Sequence, residues 1–252
     1  MAKMRATGMA LAVMLALSGC VGPGPMPSLP GSPAQPPVVA PPSPDIAGGP
    51  AEKARAFAQV IRDMEPAVER ECMQRRGGPI SCDFQFIVDS RPGLEPNAFQ
   101  TVDDNGRPIV GFTLSLIDEA RNADELAFVV GHEASHHILG HLNRKSSAAT
   151  AGAVILGGLA SAYGASEIAI QSAQNLGAQV GARYYSQEWE LEADYLGAII
   201  ALNAGFDPRN GAQFFRRIPD PGDKILGTHP STASRMGQVE RAIGDYRSGR
   251  FR

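Results

Sequence analysis

The stretch Gly131-His132-Glu133-Ala134-Ser135-His136 decides the reading of this chain. His132 and His136 are four residues apart, which on an α-helix puts both imidazoles on one face, one turn apart, able to share a metal ion. Leu126, Val129, Val130, Ile138 and Leu142 recur around them at helical spacing. Asn122 with Glu125 three residues on reads as a capping box, so the spacing predicts a helix from near Asn122. Zinc at a catalytic site takes three protein ligands and leaves a fourth position for water. Glu133 follows the first histidine and is placed to take a proton from that water and hand it to a leaving amine. An unpaired His or Glu in an apolar helix is costly. Four of the five histidines also fall between Gly131 and His141. His132 and His136 are therefore candidate ligands of one Zn2+ per chain, with Glu133 the candidate base.

The third ligand has two possible sources. A three-histidine site needs a glycine three residues after the second His and a further His three beyond. Leu139 and Leu142 occupy those positions, and Gly140 and His141 are out of register. The acidic cluster Glu188-Trp189-Glu190-Leu191-Glu192-Ala193-Asp194 is the better source. Glu190 and Asp194 share a helical face, so Glu190 can ligate the metal while Asp194 orients a ligand histidine from behind. Glu192 points elsewhere on that helix. His137 and His141 read as packing or supporting groups.

Outward from this pair of segments the chain reads as α+β, mainly α. Phe57, Val60, Ile61, Met64 and Val68 predict a helix over 51–76, which Pro66 kinks or splits. Residues 82–88, 99–102 and 109–114 read as strands, the last two joined across Asp103-Asp104-Asn105-Gly106, whose Asn-Gly is a hairpin signal. Residues 146–182 hold a single charge, Glu167. They read as packed or amphipathic helices, either a flap over the cleft or a membrane contact. Gly205 is the expected C-cap of the acidic helix, and Asp207-Pro208 the N-cap and first residue of the next.

Taken in order, several segments resemble the HtpX and CAAX-prenyl-protease family of gluzincin zinc metallopeptidases. They are Asn97-Ala98-Phe99, Gly131 to His136, Glu190-Leu191-Glu192-Ala193-Asp194, Ala204-Gly205-Phe206-Asp207-Pro208, and Thr228-His229-Pro230-Ser231 with Arg235. The resemblance covers most of 51–252. It implies a zincin-like domain with a small β-sheet and an active-site helix, and metalloendopeptidase activity on envelope proteins in quality control. It also implies that His229 lies near the metal, either stabilising an oxyanion or occupying the open position and holding the enzyme latent; a turn histidine is the alternative. Arg235 reads as an oxyanion or carboxylate binder, or as a structural ion pair. The soluble periplasmic and lipoprotein members are closest in pattern, because no clear transmembrane set is present. A latent or chaperone-like zinc lipoprotein with little proteolysis is the second functional reading. The strand at 109–114 is expected to present an edge to an extended substrate.

The rest of the chain bounds location and partners. Lys3 and Arg5 precede a short apolar run, and Leu17-Ser18-Gly19-Cys20 resembles a bacterial lipobox. Residues 1–19 are then a signal peptide, and Cys20 the lipidated first residue. Val21 rather than Asp follows, the pattern of outer-membrane sorting in Gram-negative cells. Residues 21–50 carry eleven of the twenty prolines and only Asp45 as a charge, so 20–50 reads as a stiff tether and 51–252 as the peptidase domain. An exported chain meets an oxidising compartment, so a Cys72–Cys82 disulfide is expected across the turn Gly77-Gly78-Pro79. A net charge of −3 gives no basic footprint for nucleic acid. The expected partners are protein or peptide substrates and, through the anchor, a membrane.

Overall fold

The structure is a computed structural model that describes residues 38–184, 186–217 and 230–251. Cys20 and His229 lie outside the described residues. The elements, in chain order, are α1 (Pro50–Arg75), β1 (Gln85–Asp89), β2 (Ala98–Val102), β3 (Pro108–Thr113), α2 (Leu114–Glu119), α3 (Ala123–Ile138), α4 (His141–Ala162), α5 (Glu167–Tyr184), α6 (Ser186–Asn203), α7 (Pro208–Gly211), a 3-10 turn (Ala212–Arg216) and α8 (Thr232–Arg247). The architecture is mainly helical around one small sheet, as the sequence predicts.

Three helices set the core. α1 buries Phe57, Val60, Met64, Ala67, Val68 and Cys72 along one stripe, and Pro66 leaves it undivided. α3 is buried on nearly every side, with Leu126, Ala127, Phe128, Val130 and Ala134 at most 1 % exposed. α6 crosses α3 at two glycines. A Cβ on Gly131 would lie 2.7 Å from the Gly197 carbonyl oxygen, and one on Gly197 would lie 2.7 Å from the His132 nitrogen. Only hydrogen at both positions lets the two backbones come this close.

The sheet has the order β1-β3-β2, with β1 parallel and β2 antiparallel to β3. This corrects the expected role of the strand at 109–114. β3 is the central strand, with Val110 and Phe112 fully buried, so both of its edges are already taken. Among the described residues, the strand with a free edge beside α3 is β2. The β2–β3 hairpin closes as the Asn-Gly signal predicts: the Asp103 carboxylate accepts from the backbone of Asn105 and Arg107, and Gly106 adopts φ +78°.

The start of α3 is tied down on several sides. Asn122 Oδ1 accepts from the Glu125 nitrogen at 3.0 Å. The Glu125 carboxylate accepts from the Arg121 nitrogen and from both Arg217 guanidinium nitrogens, rather than closing a full capping box on Asn122. Asp124, 1 % exposed, accepts from the nitrogen and hydroxyl of Ser43, the Asp207 nitrogen and Asn210 Nδ2. Ile46 donates to the Arg121 carbonyl, and Val39 and Ile46 pack on the core. Residues 38–49, expected to be tether, therefore already lie along the folded body. Asp124 supplies the reason, because a buried carboxylate needs those donors. Gly205 ends α6 at φ +87°, and Asp207 caps α7 through the Arg209 nitrogen, both as expected.

α4 and α5 form a helical hairpin. Gly152 meets Gly177 backbone to backbone, and Gly181 meets Ala148 in the same way. Val154, Ile155, Leu159, Tyr163, Ile168 and Leu176 on its outer faces are exposed. No helix among the described residues is long and apolar enough to cross a membrane. A disulfide joins Cys72, at the end of α1, to Cys82, on the approach to β1.

Candidate active site

α3 delivers His132, Glu133 and His136 to one end of its exposed face, and α6 delivers Glu190 opposite them. His132 Nε2 and His136 Nε2 are 3.2 Å apart. The Glu190 carboxylate oxygens lie 3.4 Å from His132 Nε2 and 3.5 Å from His136 Nε2. A tetrahedral zinc shell with bonds of about 2.0–2.1 Å has edges of about 3.3–3.4 Å. The three side chains thus have the donor chemistry and mutual spacing of such a shell, and among the described residues they form the one cluster able to hold a metal ion. The Gly131–Gly197 contact produces this spacing: it fixes the helix separation beside His132, two turns along α6 from Glu190.

Each histidine is held from behind. His132 Nδ1 is 2.9 Å from Asp194 Oδ1, and Asp194 accepts from Arg235 at 2.7 Å on each oxygen. Asp194 is fully buried and Arg235 is 8 % exposed, so Arg235 is a buried ion-pair partner here. Burial opposes the Asp194 charge, but Arg235 and His132 hold its pKa below the usual carboxylate range. An ionised Asp194 only accepts, so His132 carries its proton on Nδ1 and turns the Nε2 lone pair inward. Behind His136, His136 Nδ1 is 2.8 Å from His141 Nδ1, His141 Nε2 is 3.1 Å from Glu192 Oε2, and Arg144 donates to Glu192 at 2.5 Å. Glu192 accepts from His141 Nε2–H, so His141 Nδ1 accepts from His136 Nδ1–H, and His136 Nε2 also faces inward unprotonated. His141 stacks on Trp189, over which Arg144 lies.

Burial disfavours the charged form of His132, but its hydrogen bonds to Asp194 and Glu190 outweigh that and raise its pKa to about 10. Burial, and then the neighbouring His132 charge, push His136 down to about 3.

Two cavities flank the cluster and share Glu133, His136 and Glu190 as a wall. The larger, about 450 Å³, reaches under Pro96, Asn97 and Ala98 to Phe214 and Phe215. The other extends toward Gln100, Lys145 and Trp189.

Sequence reasoning places the three ligands, Glu133 and Asp194 together as the structure does. Glu192 does point away from the metal position, onto His141. His137 sits to one side, its Nε2 on the Ser81 carbonyl and its ring edge-on to Phe84. Two features escaped it. The His136–His141–Glu192 chain is the first: His141 reads only as a packing or supporting group, because five residues from His136 is not a same-face helical spacing and Glu192 lies 51 residues further on. The cavity residues Leu116, Val129, Phe214 and Phe215 carry no local signal, because apolar side chains in a core and in a cavity wall read alike.

Residues 60–243 match the model of peptidase family M48. Among curated proteins, the chain is 29% identical over 138 residues to a mitochondrial metalloendopeptidase of Arabidopsis thaliana, a match covering 53% of this chain and 27% of that protein. It is 35% identical over 146 residues to a putative beta-barrel assembly-enhancing protease of Vibrio cholerae, covering 52% of this chain and 30% of the relative. It is 30% identical over 146 residues to the beta-barrel assembly-enhancing protease of Escherichia coli, covering 53% and 30%. The chain thus spans less than a third of the length of these relatives. With most of its folded body matched and a His-His-Glu cluster of zinc-shell dimensions at its centre, this chain belongs to peptidase family M48, a family of zinc metallopeptidases.

Proposed function

We propose that the chain is a zinc metalloendopeptidase that hydrolyses unfolded or misassembled proteins of the bacterial envelope. The observation that carries this is the His132–His136–Glu190 shell with Glu133 at the junction of two cavities beside a free strand edge. His132, His136 and Glu190 hold the metal, and Asp194 and His141 hold the two imidazoles in their ligating tautomers. A zinc ion bound there supplies Lewis acidity to the water and the scissile carbonyl. Glu133 takes the proton of the attacking water and delivers it to the leaving amine as the C–N bond breaks.

β2 supports an extended substrate. The Thr113 nitrogen donates to the Asn97 carbonyl, so in the alternating antiparallel pattern the backbone groups of Ala98, Gln100 and Val102 face away from β3. A substrate strand paired there is bound through its backbone, with little side-chain demand, which suits many unrelated clients. The role in envelope quality control is supported by the beta-barrel assembly-enhancing proteases among the relatives. The location is supported by Leu17-Ser18-Gly19-Cys20 and the proline-rich stretch behind it. On this reading residues 1–19 are removed, Cys20 carries the lipid at the outer membrane, and the peptidase faces the periplasm. The Thr228-His229-Pro230-Ser231 segment supports His229 as oxyanion donor or latency group.

Chelation and reloading test the activity. Purified protein releases peptides from casein, loses that activity with a chelator, and regains it with one equivalent of zinc. Unchanged cleavage after complete zinc removal would sink the proposal.

A further inference from the structure

We propose that the outer face of the α4–α5 hairpin docks on a phospholipid bilayer, sinking its apolar side chains to the boundary between headgroups and acyl chains. The inference rests on the envelope-lipoprotein reading and adds a second membrane contact, made by the folded body itself.

The hairpin is closed through backbone contacts. Gly152 against Gly177 and Gly181 against Ala148 bring the two helices together, which leaves the larger side chains on the outside. On α4, Ile155, Leu159 and Tyr163 follow one another at four-residue spacing and form one stripe, with Val154 beside it. On α5, Ile168, Leu176 and Val180 fall on the same four-residue register. All seven are exposed, Tyr163 by 89 % and Ile168 by 80 %. They are seven of the thirteen exposed large apolar side chains among the described residues, so more than half of that surface sits on one hairpin. A soluble protein rarely exposes an apolar patch of this kind without using it.

The chemistry favours lipid over a protein partner. A protein-docking face has an apolar core inside a polar rim. Residues 146–182 hold one charge, Glu167, beside the tip. Tyr163, at the tip, has the amphipathic ring that settles at headgroup level. With no Lys or Arg in that run, the attraction is hydrophobic rather than electrostatic. The contact is with one leaflet, since no helix among the described residues is long and apolar enough to cross a membrane.

Chain length brings a bilayer within reach. A lipid on Cys20 is followed by residues 21–37 before the described body begins, and that many residues extend to about 60 Å at most. The body is thereby held at high effective concentration beside one membrane, where a modest affinity suffices. α4 starts at His141, behind the ligand His136, and its 22 residues run about 33 Å to the tip. A docked hairpin therefore fixes how far the cleft stands from the bilayer, which the tether by itself does not.

Vesicle flotation tests this without the lipid anchor and without catalysis. The core cluster lies between Val39 and Phe251, so the processed chain, residues 20–252 with Cys20→Ala, keeps the fold. Loaded with zinc, it should float with vesicles of phosphatidylethanolamine and phosphatidylglycerol, and still do so in about 1 M salt, where surface charges are screened. Ile155→Asp with Leu159→Asp should lower vesicle partitioning about tenfold or more. Casein cleavage in solution should stay unchanged in that variant, since neither side chain borders the cavities at the metal cluster. If the double variant fails to fold, Tyr163→Asp at the exposed tip gives the same readout. No flotation of the unsubstituted chain, equal flotation of the variants, or release by salt overturns the proposal. So does a dimer that the double substitution abolishes while flotation is absent, which assigns the face to a second copy. An unmodified Cys20 in a mass spectrum would remove the anchor, and absent casein cleavage the peptidase reading; flotation decides the hairpin separately from both.

Discussion

Asp194 sits behind His132 with both of its oxygens taken by Arg235 and one shared with the imidazole. Its replacement by Asn keeps the shape but weakens the anchor and leaves the buried Arg235 charge with only Glu190, 4.0 Å away. Groups that stand behind metal ligands are worth about 10–100-fold in metal affinity, so Asp194→Asn should weaken zinc binding by that order in a chelator competition. His141→Phe removes the acceptor for His136 Nδ1–H and should do the same on the other ligand. Glu192→Gln, whose side chain is 37 % exposed, should have the smaller effect. An unchanged zinc affinity in His141→Phe would remove His141 from the site. At this scale the sequence was most legible where chemistry demands a fixed spacing. The four-residue separations of His132 from His136 and of Glu190 from Asp194 each mark one helical face, and both pairs converge in the structure. The sequence offers Arg235 two roles because its partner, Asp194, is 41 residues away. The cavity-lining Phe214 and Phe215 were invisible because burial is a property of the fold, not of the residue.

Among the elements, the α3–α6 crossing sets the distance across which a metal is held. A methyl group at Gly131 or Gly197 would sit 2.7 Å from backbone atoms of the other helix. Neither backbone can move without separating Glu190 from the histidines. Gly131→Ala and Gly197→Ala should each cost about 1–3 kcal/mol in denaturant unfolding, with a loss of zinc affinity larger than the loss of stability explains. β2 is the second element under test. Gln100→Pro removes a backbone donor from the free edge without touching the β2–β3 ladder, so the fold should persist while cleavage of extended substrates falls about tenfold or more. Gln100→Ala controls for the side chain, and full activity in the proline variant would exclude edge pairing at β2. The sequence marked all three strands and the hairpin, because alternation and Asn-Gly are local. It did not reveal that β1 runs parallel beside β3, a long-range pairing that turns the 109–114 strand into the centre and moves the free edge to β2.

For the molecule as a whole, stability is concentrated around the same centre. The Cys72–Cys82 bridge ties α1 to the approach to β1, and closing a loop of this size contributes about 2–4 kcal/mol. Reduction, or replacement of both cysteines by Ala, should lower Tm by roughly 5–15 °C. A Tm indifferent to reductant would show the bridge absent in solution. Residues 38–49 add a further clasp through Ser43 and Ile46, so the body extends upstream of α1. The sequence assigned that stretch to the tether because its proline content resembles the segment before it, and the donors that Asp124 needs cannot be read from composition.

The central claim is that zinc in the His132–His136–Glu190 shell and the Glu133 carboxylate together cleave peptide bonds, and one variant separates those parts most directly. Glu133→Gln should bind one zinc per chain with near wild-type affinity, because Glu133 is not a ligand. It should lose at least about 100-fold in kcat on casein, the low end of what a positioned acid–base group contributes. Retained cleavage at normal zinc content would contradict the account.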